Sequence, residues 1–150
     1  MRIAVRLTSV YRCQSVDFLY ELLRERLQNR SLNISHTILP TRTQHLRFVR
    51  SKPYRAWYLI KVDRAKVGHI WLNRQNEIGL TLLRAERRKG YEEAALRMLF
   101  AKHRPLSPIP SKRSAAFLAN VSPHNRDLQR AFESMGGEKI QCTYRFDTAK

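Results

Sequence analysis

Three consecutive cations and a glycine, Arg87-Arg88-Lys89-Gly90, stand immediately before a segment whose apolar residues have helical spacing. The first main-chain N–H groups of a helix have no partner within the helix and lie at the positive end of its dipole, so residues 87–93 can hold an anion such as a diphosphate. A second interpretation stays open from these residues alone. In it, Gly90 only lets the chain turn from a strand into the helix, and solvent covers the cations.

The composition is that of one folded, strongly basic domain. The chain has 150 residues, 43% hydrophobic and 27% charged, and residues 1–150 are expected to share one core. Lys and Arg total 29 against 12 Asp and Glu, a net charge of +17 that is spread along the whole chain. The surface itself is therefore basic, which favours a polyanionic partner such as nucleic acid over the alternative of a generic solubility device.

Several protein classes are excluded. No apolar run approaches the roughly 20 residues that span a bilayer, and the first residues lack a signal-peptide core, so a soluble cytoplasmic protein without a membrane partner is expected. Cys13 and Cys142 form neither a CxxC motif nor a Cys/His cluster, which excludes a zinc finger, and no metal site is expected.

The first half of the chain predicts a strand, a helix, a connector and three hairpin-linked strands. Apolar residues alternate over residues 1–8, and residues 15–30 have helical spacing with Ser15 as N-cap. Residues 31–54 mix cations with aromatic side chains, which is typical either of a nucleic-acid contact with a short helix or of a solvated connector. The three strand-like runs that follow are residues 55–62, 67–72 and 78–83.

The second half predicts a helix, a proline-rich loop, a strand, a helix and a last strand. Helical spacing covers residues 91–103, and the loop up to Arg113 is basic at both ends. Residues 115–121 predict a buried strand. Ser122 and Pro123 predict the start of a helix that Gly136-Gly137 ends, and residues 139–146 predict the closing strand.

In this order the chain resembles the GCN5-related N-acetyltransferase (GNAT) superfamily. The segment NEIGLTLLRAERRKGYEEAALRML (76–99) is similar to the family's fourth strand, pyrophosphate loop and following helix. The segment NVSPHNRDLQRAFESMGG (120–137) is similar to its fifth strand and Asn-bearing helix, and SVDFLYELLRERL (15–27) to its first helix. The resemblance implies a mixed α/β (α+β) fold whose mostly antiparallel sheet is flanked by helices and splayed between the fourth and fifth strands.

The resemblance also implies an acetyl-CoA-dependent N-acetyltransferase acting on a primary amine. Main-chain groups at Leu82 and Leu83 would hold the pantetheine arm and polarise the thioester carbonyl. Asn125 would brace the arm from the other side. The diphosphate would lie on the loop and first helical turn, formed by Arg87, Arg88, Lys89, Gly90, Tyr91 and Glu92.

Two residues depart from the family pattern. Glu92 stands where a small residue belongs, and a carboxylate repels a diphosphate unless its side chain turns to solvent or pairs with an arginine. Phe132 stands seven residues after Asn125, where the family often has a tyrosine that protonates the departing thiolate. Phenylalanine donates no proton, which slows transfer without forbidding it, and Tyr144, Tyr91 or water are possible substitutes.

The amine must lose a proton before it attacks, and Glu77 and His69 are the candidate bases near the fourth strand. Fold alone does not select the acceptor. The basic surface favours an amine on a polyanion, such as a modified nucleobase, aminoacyl-tRNA or an amino-sugar nucleotide, contacted by residues 42–54 and 102–113. The alternative function is a catalytically lapsed GNAT-fold protein that binds nucleic acid, and either a monomer or a homodimer fits the sequence.

Overall fold

The computed structural model of the chain describes residues 4–13, 15–29 and 38–148. Five strands form one sheet in the order β1-β2-β3-β4-β5, with the first four antiparallel and β5 parallel to β4. The strands are β1 (Val5–Ser9), β2 (Ala56–Val62), β3 (Ala65–Leu72), β4 (Glu77–Leu82) and β5 (Leu118–Ala119). The mixed sheet and the three consecutive hairpin-linked strands are confirmed. The predicted ends at residues 1–3 and at Arg30 lie outside the described residues.

Within the described residues, five α-helices cover the two faces of the sheet. They are α1 (Val10–Cys13), α2 (Val16–Gln28), α3 (Arg42–Arg50), α4 (Tyr91–Lys102) and α5 (Arg126–Ser134). The connector helix α3 begins with a capping box, in which Thr41 Oγ1 accepts from the N–H of Gln44 and the Gln44 side chain accepts from the N–H of Thr41. Sequence analysis missed the single turn of α1.

Each face of the sheet buries its own apolar cluster. On one face, α4 and α5 pack on β2, β3 and β4 through residues such as Leu96, Leu99 and Leu128. On the other face, α1, α2 and α3 pack on Trp57 and Leu59 of β2. Alternate residues of β2 point to opposite faces, which is why one strand serves both clusters.

β4 and β5 pair over two residues only and then separate. Glu77 lies opposite Leu118 and Ile78 opposite Ala119, where the sequence predicts a strand over all of residues 115–121. The splay expected between the fourth and fifth strands is confirmed.

The start of α5 and the C-terminal segment differ from the prediction. Asn125 caps α5, its Oδ1 accepting from the N–H of Leu128 at 3.2 Å, so the helix begins three residues after the predicted Ser122–Pro123 start. Ser15, the predicted N-cap of α2, makes no side-chain capping bond.

The predicted strand 139–146 is wrong: in the described part of the chain these residues form no strand, and Phe146 is 82% exposed. Alternation predicted a strand, but no neighbouring strand edge pairs with this segment.

Across residues 4–13, 15–29 and 38–148, no helix combines the length and the apolar character needed to cross a bilayer.

Candidate functional site

A cleft of about 230 Å³ opens where β4 and β5 separate. Its walls are β4, the segment that follows β5, and the first turns of α4 and α5. The lining residues include Leu80, Thr81, Leu82, Glu92, Asn120 and Asn125. The cleft thus brings together the two segments in which the sequence predicts function.

The main chain of β4 presents hydrogen-bonding groups to this cleft. The N–H of Leu83 donates to the carbonyl of Val67 at 2.8 Å, and the N–H of Asn73 to the carbonyl of Glu77 at 3.0 Å, so the odd-numbered residues of this stretch face β3. Because main-chain direction alternates along a strand, Leu80 and Leu82 face the side where β5 has already ended. The main chain of Leu82 therefore faces the cleft, as predicted. That of Leu83 does not, because its N–H bonds to β3, and the second residue whose main chain faces the cleft is Leu80.

The first turn of α4 forms the far end of the cleft. Gly90 is its N-cap with φ of +81°, a left-handed conformation that glycine adopts without strain. The N–H of Ala94 donates to Gly90, which leaves the N–H groups of Tyr91, Glu92 and Glu93 without intrahelical acceptors. Arg87 lines the cleft beside them. The geometry is that of an anion site.

The other two cations of the loop are turned away from this site. Arg88 Nε donates to Asp127 Oδ1 at 3.1 Å, which ties the loop to the first turn of α5. Lys89 Nζ lies 3.2 Å from Glu86 Oε2. Neither side chain lines the cleft, so only Arg87 of the three predicted cations does.

Glu92 occupies the anion site itself. Its residue is only 5% exposed and lines the cleft, whereas the sequence analysis expected the side chain to turn to solvent or pair with an arginine. Burial raises the pKa of Glu92, and the carboxylates of Glu93 and Asp127 raise it further. A hydrogen bond from its own main-chain N–H and the charge of Arg87 act in the opposite direction. A carboxylate on the N–H groups of α4 competes with any anionic ligand.

Asn125 and Phe132 lie on α5 as predicted, with different surroundings. Asn125 lines the cleft, and its Oδ1 is used as the helix cap, so its amide nitrogen is the group left for a ligand. Phe132 packs partly buried against the core formed by the sheet, α4 and α5. A packing role explains Phe132 fully.

His69 is not arranged as a base. Trp57 Nε1 donates to His69 Nδ1 at 3.0 Å, so the neutral ring carries its hydrogen on Nε2. Burial, with added repulsion from Arg26 and His45, lowers the pKa of His69 to about 3. The lone pair of Nδ1 already accepts the hydrogen bond from Trp57, and the ring stays neutral at physiological pH.

Glu77 lies one residue behind the cleft wall. Its Oε2 accepts from Asn120 Nδ2 at 2.8 Å and its Oε1 from Asn73 Nδ2 at 2.9 Å. Asn120 lines the cleft and Glu77 does not. The carboxylate reaches the cleft only past Asn120.

The two tyrosines considered as proton donors lie elsewhere. Tyr144 is 79% exposed in the irregular C-terminal segment, and Tyr91 is buried in the core, so only its main chain faces the anion site. No tyrosine lines the cleft in the described part of the chain.

Besides Leu80, sequence analysis missed other residues of the cleft, among them Arg26, Asn120 and Gly79. Arg26 enters from the last turn of α2, and Asn120 connects the cleft to Glu77. Gly79 leaves room for the Trp71 ring, since a Cβ there would lie 2.0 Å from Trp71 Cε2. A glycine inside a strand is the one sequence signal that indicated such a close approach.

Comparison with solved structures finds the same architecture at low sequence identity. RimL, a ribosomal L7/L12 alpha-N-protein acetyltransferase in complex with coenzyme A, superposes with a TM-score of 0.67 at 14% identity, covering 89% of this chain and 82% of RimL. The structure of yncA from Salmonella typhimurium with its cofactor acetyl-CoA gives 0.65 at 13%, covering 91% and 79%. AAC(6')-Iy with the bisubstrate analogue CoA-S-monomethyl-acetylneamine gives 0.61 at 14%, covering 100% of both chains.

No protein-family model matches the sequence, and the curated proteins include no significant sequence match. The likeness is therefore one of fold, and it confirms the fold expected from the sequence.

Proposed function

We propose that this chain, which has the fold of the GCN5-related N-acetyltransferases, transfers an acetyl group from acetyl-CoA to a primary amine. One observation carries the proposal. The cleft between β4 and β5 has unpaired main-chain groups along one wall and ends on the N–H groups of α4 beside Arg87. A long ligand whose arm carries polar amides and is followed by a diphosphate matches that sequence of groups.

The residues present fit coenzyme A, with one competing group. Leu80 and Leu82 are the main-chain partners for the pantetheine arm, Asn125 faces it from α5, and the first turn of α4 with Arg87 holds the diphosphate. Glu92 must give up the main-chain N–H that it now uses before the diphosphate can bind. We therefore expect binding that is weaker than the same site would give with a small residue at position 92.

Bound in this cleft, acetyl-CoA supplies the acetyl group as a reactive thioester. The overall reaction turns an amine into an amide, and the amine must lose a proton. We assign proton removal to the Glu77 carboxylate, acting through water past Asn120, because His69 is neutral with its acceptor nitrogen already bonded. The leaving thiolate has no tyrosine beside it in the described cleft, so we expect it to take its proton from solvent, which a thiol pKa near 8.5 allows.

The net charge of +17 supports an amine carried on a polyanion. A protein this basic repels cationic acceptors and concentrates anionic ones near its surface. A modified nucleobase, an aminoacyl-tRNA or an amino-sugar nucleotide each combines an amine with phosphate groups.

Calorimetric titration with acetyl-CoA and with S-acetyl-pantetheine tests the cofactor site. Acetyl-CoA is expected to bind in the micromolar range, and the analogue without a diphosphate at least about tenfold more weakly, because it lacks the group that α4 and Arg87 hold. Equal affinities would contradict the diphosphate site, and no heat with acetyl-CoA would contradict the transferase. Thiol release in the presence of amine-bearing nucleotides then reports turnover.

A second candidate function is a nucleic-acid-binding protein with a lapsed cofactor site. Burial of the Glu92 carboxylate on the N–H groups of α4 is the observation that favours it. Thermal stabilisation by nucleic acid in the absence of any response to acetyl-CoA would select this function.

A further inference from the structure

The end of the sheet opposite the anion site gathers cations from three separate stretches of sequence. Arg55 precedes β2, Arg74 lies in the turn between β3 and β4, and the loop after α4 supplies the others. Ala56 pairs with Leu72, so the start of β2 and the end of β3 share this end. Four exposed cations here form what we call the sheet-end patch: Arg74, Lys102, Arg104 and Lys112.

Hydrogen bonds hold the three stretches together. Arg55 Nη1 donates to the carbonyl of Arg104 at 3.0 Å, and Arg113 Nη1 donates to the carbonyl of Arg74 at 3.1 Å. Burial lowers the pKa of His103, and the nearby charges of Arg55 and Lys102 lower it further. Two half-buried arginines thus position the exposed ones.

Asn76 fixes the loop to the sheet. It is fully buried, its Nδ2 donates to the carbonyls of Leu106 and Ser114 at 2.9 and 2.8 Å, and its Oδ1 accepts from the N–H of Leu106 at 2.8 Å. A fully satisfied buried amide rigidifies its surroundings. The sheet-end patch is therefore preorganised, which reduces the entropic cost of binding.

The patch carries unneutralised charge. None of its four side chains forms an ion pair with any acidic residue that the structure describes. The sequence between Glu93 and Asp127, which contains three of the four, has no acidic residue. Bringing like charges together costs free energy that an anionic partner offsets.

The other predicted contact surface, residues 42–54, also carries exposed cations that pair with no acidic residue the structure describes, namely Arg47, Arg50 and Lys52. Several of its other side chains are engaged within the fold. Arg42 lies 2.8 Å from Glu21 Oε1 and stacks over the Tyr20 ring, and His45 is buried. Tyr54 stacks on the Trp71 ring at 4.5 Å. His45 and Tyr54 therefore serve the core, whereas Phe48 is 44% exposed and lies edge-on to Tyr54 and Trp57.

We propose that the sheet-end patch binds the phosphodiester backbone of a nucleic acid. Protein partners dock on a patch with an apolar or aromatic centre, whereas serines, prolines and unpaired cations predominate in this loop. A cluster of exposed cations, most of them on a loop whose main chain is held to the sheet, matches a uniform polyanion. The proposal rests on the proposed function in one respect only, that the same polyanion would carry the acceptor amine.

Fluorescence anisotropy with a labelled RNA and a DNA of the same sequence, over a salt series, tests it. The patch variant replaces Arg74, Lys102, Arg104 and Lys112 by Gln. The matched control removes the same charge elsewhere, through Arg64→Gln, Lys66→Gln, Arg97→Gln and Arg130→Gln, all exposed. We expect the patch variant to lose at least about tenfold in affinity and to lower the salt slope by about 3, and the control to change affinity less than about threefold.

Equal losses in the two variants would overturn the proposal, because binding would then follow net charge alone. Stronger binding of poly-glutamate than of both nucleic acids would also overturn it, in favour of an acidic protein. A higher affinity for RNA than for DNA, or the reverse, identifies the kind of nucleic acid and supports the proposal in either case. Acetyl-CoA titration of the patch variant is the separate check on the proposed function, since its cleft is unaltered.

Discussion

The indole Nε1 of Trp57 donates to His69 Nδ1 at 3.0 Å, across the neighbouring strands β2 and β3. The bond removes His69 from the list of bases and gives it a structural role. His69→Asn keeps an acceptor near the position of Nδ1, whereas His69→Leu leaves the indole N–H without one. We expect the leucine variant to be less stable than the asparagine variant by about 1–3 kcal/mol in denaturant unfolding. Loss of acetyl transfer in the asparagine variant with unchanged stability would contradict the structural role.

Replacing Glu92 by Gln is expected to strengthen acetyl-CoA binding. The substitution removes a negative charge from the anion site, and we expect affinity at neutral pH to rise about fivefold, or about 1 kcal/mol. Glu86→Gln is the control, since it removes the same charge from the loop outside the cleft. An equal gain in both variants would attribute the effect to net charge.

The raised pKa of Glu92 also makes the free energy of unfolding depend on pH. Since folding raises this pKa, the ionised carboxylate destabilises the folded state above it, and the penalty shrinks as pH falls below the raised value and is gone below the ordinary glutamate pKa of 4.5. Glu92→Gln should therefore increase the free energy of unfolding at neutral pH and show a smaller gain towards about pH 5. Urea unfolding of both proteins across this range measures it, and a gain independent of pH would contradict the assignment.

Gly90 and Gly136 provide a matched pair of substitutions. Both have positive φ, 81° and 86°, and neither has an atom within 4 Å of the position a Cβ would take. Aspartate should cost a similar conformational strain of about 1 kcal/mol at each, but only Gly90→Asp adds a carboxylate to the anion site. We expect Gly90→Asp to abolish thermal stabilisation by acetyl-CoA and Gly136→Asp to retain it. Retained stabilisation in both would place the diphosphate elsewhere.

Glu77→Gln tests the proton acceptor. If the Glu77 carboxylate removes the amine proton, kcat should fall by about a hundredfold while acetyl-CoA affinity stays unchanged. Asn73→Ala is the control, because it removes one of the two hydrogen bonds on the carboxylate and keeps the carboxylate. A parallel loss in kcat and in cofactor affinity would indicate instead that Glu77 only holds Asn120 in the cleft wall.

Asn76→Asp replaces the amide nitrogen of the side chain by an oxygen, and this small change is expected to destabilise the protein strongly. The new oxygen would face the carbonyls of Leu106 and Ser114, so two hydrogen bonds become repulsive contacts in a buried site. We expect a loss of about 2–4 kcal/mol in the free energy of unfolding, against less than about 0.5 kcal/mol for Gln75→Glu on the exposed neighbour. A small effect would mean that the loop is held by other contacts.

Local sequence signals were sufficient for Gly90, because the left-handed turn before α4 favours a glycine. They placed the cap of α5 at Ser122 instead of Asn125, whose place in the cleft was expected only from the family resemblance. They were insufficient for Arg26 and Asn120, which reach the cleft only because α2 and β5 fold against β4. The same limit explains why Leu83 was predicted to face the cleft, although its N–H bonds to β3. Which main-chain groups of β4 are free depends on its register with β3, and register is a property of two strands.

The outcomes for Glu92 and for residues 139–146 have different causes. Sequence analysis identified Glu92 as a misfit whose side chain turns to solvent or pairs with an arginine, whereas its carboxylate accepts from its own main-chain N–H at the start of α4. A last strand was predicted over residues 139–146, yet a strand also needs an adjacent edge with matching main-chain groups.

Strand β4 has six residues and so is about 20 Å long, with the sheet-end patch before it and the first turn of α4 after it. A polyanion on the patch and the diphosphate on α4 would each weaken the positive potential that attracts the other. Dissolved salt screens the interaction between exposed charges beyond about 30 Å at 0.01 M and beyond about 8 Å at 0.15 M. Nucleic acid and acetyl-CoA should therefore act as antagonists in dilute buffer and bind independently at physiological ionic strength.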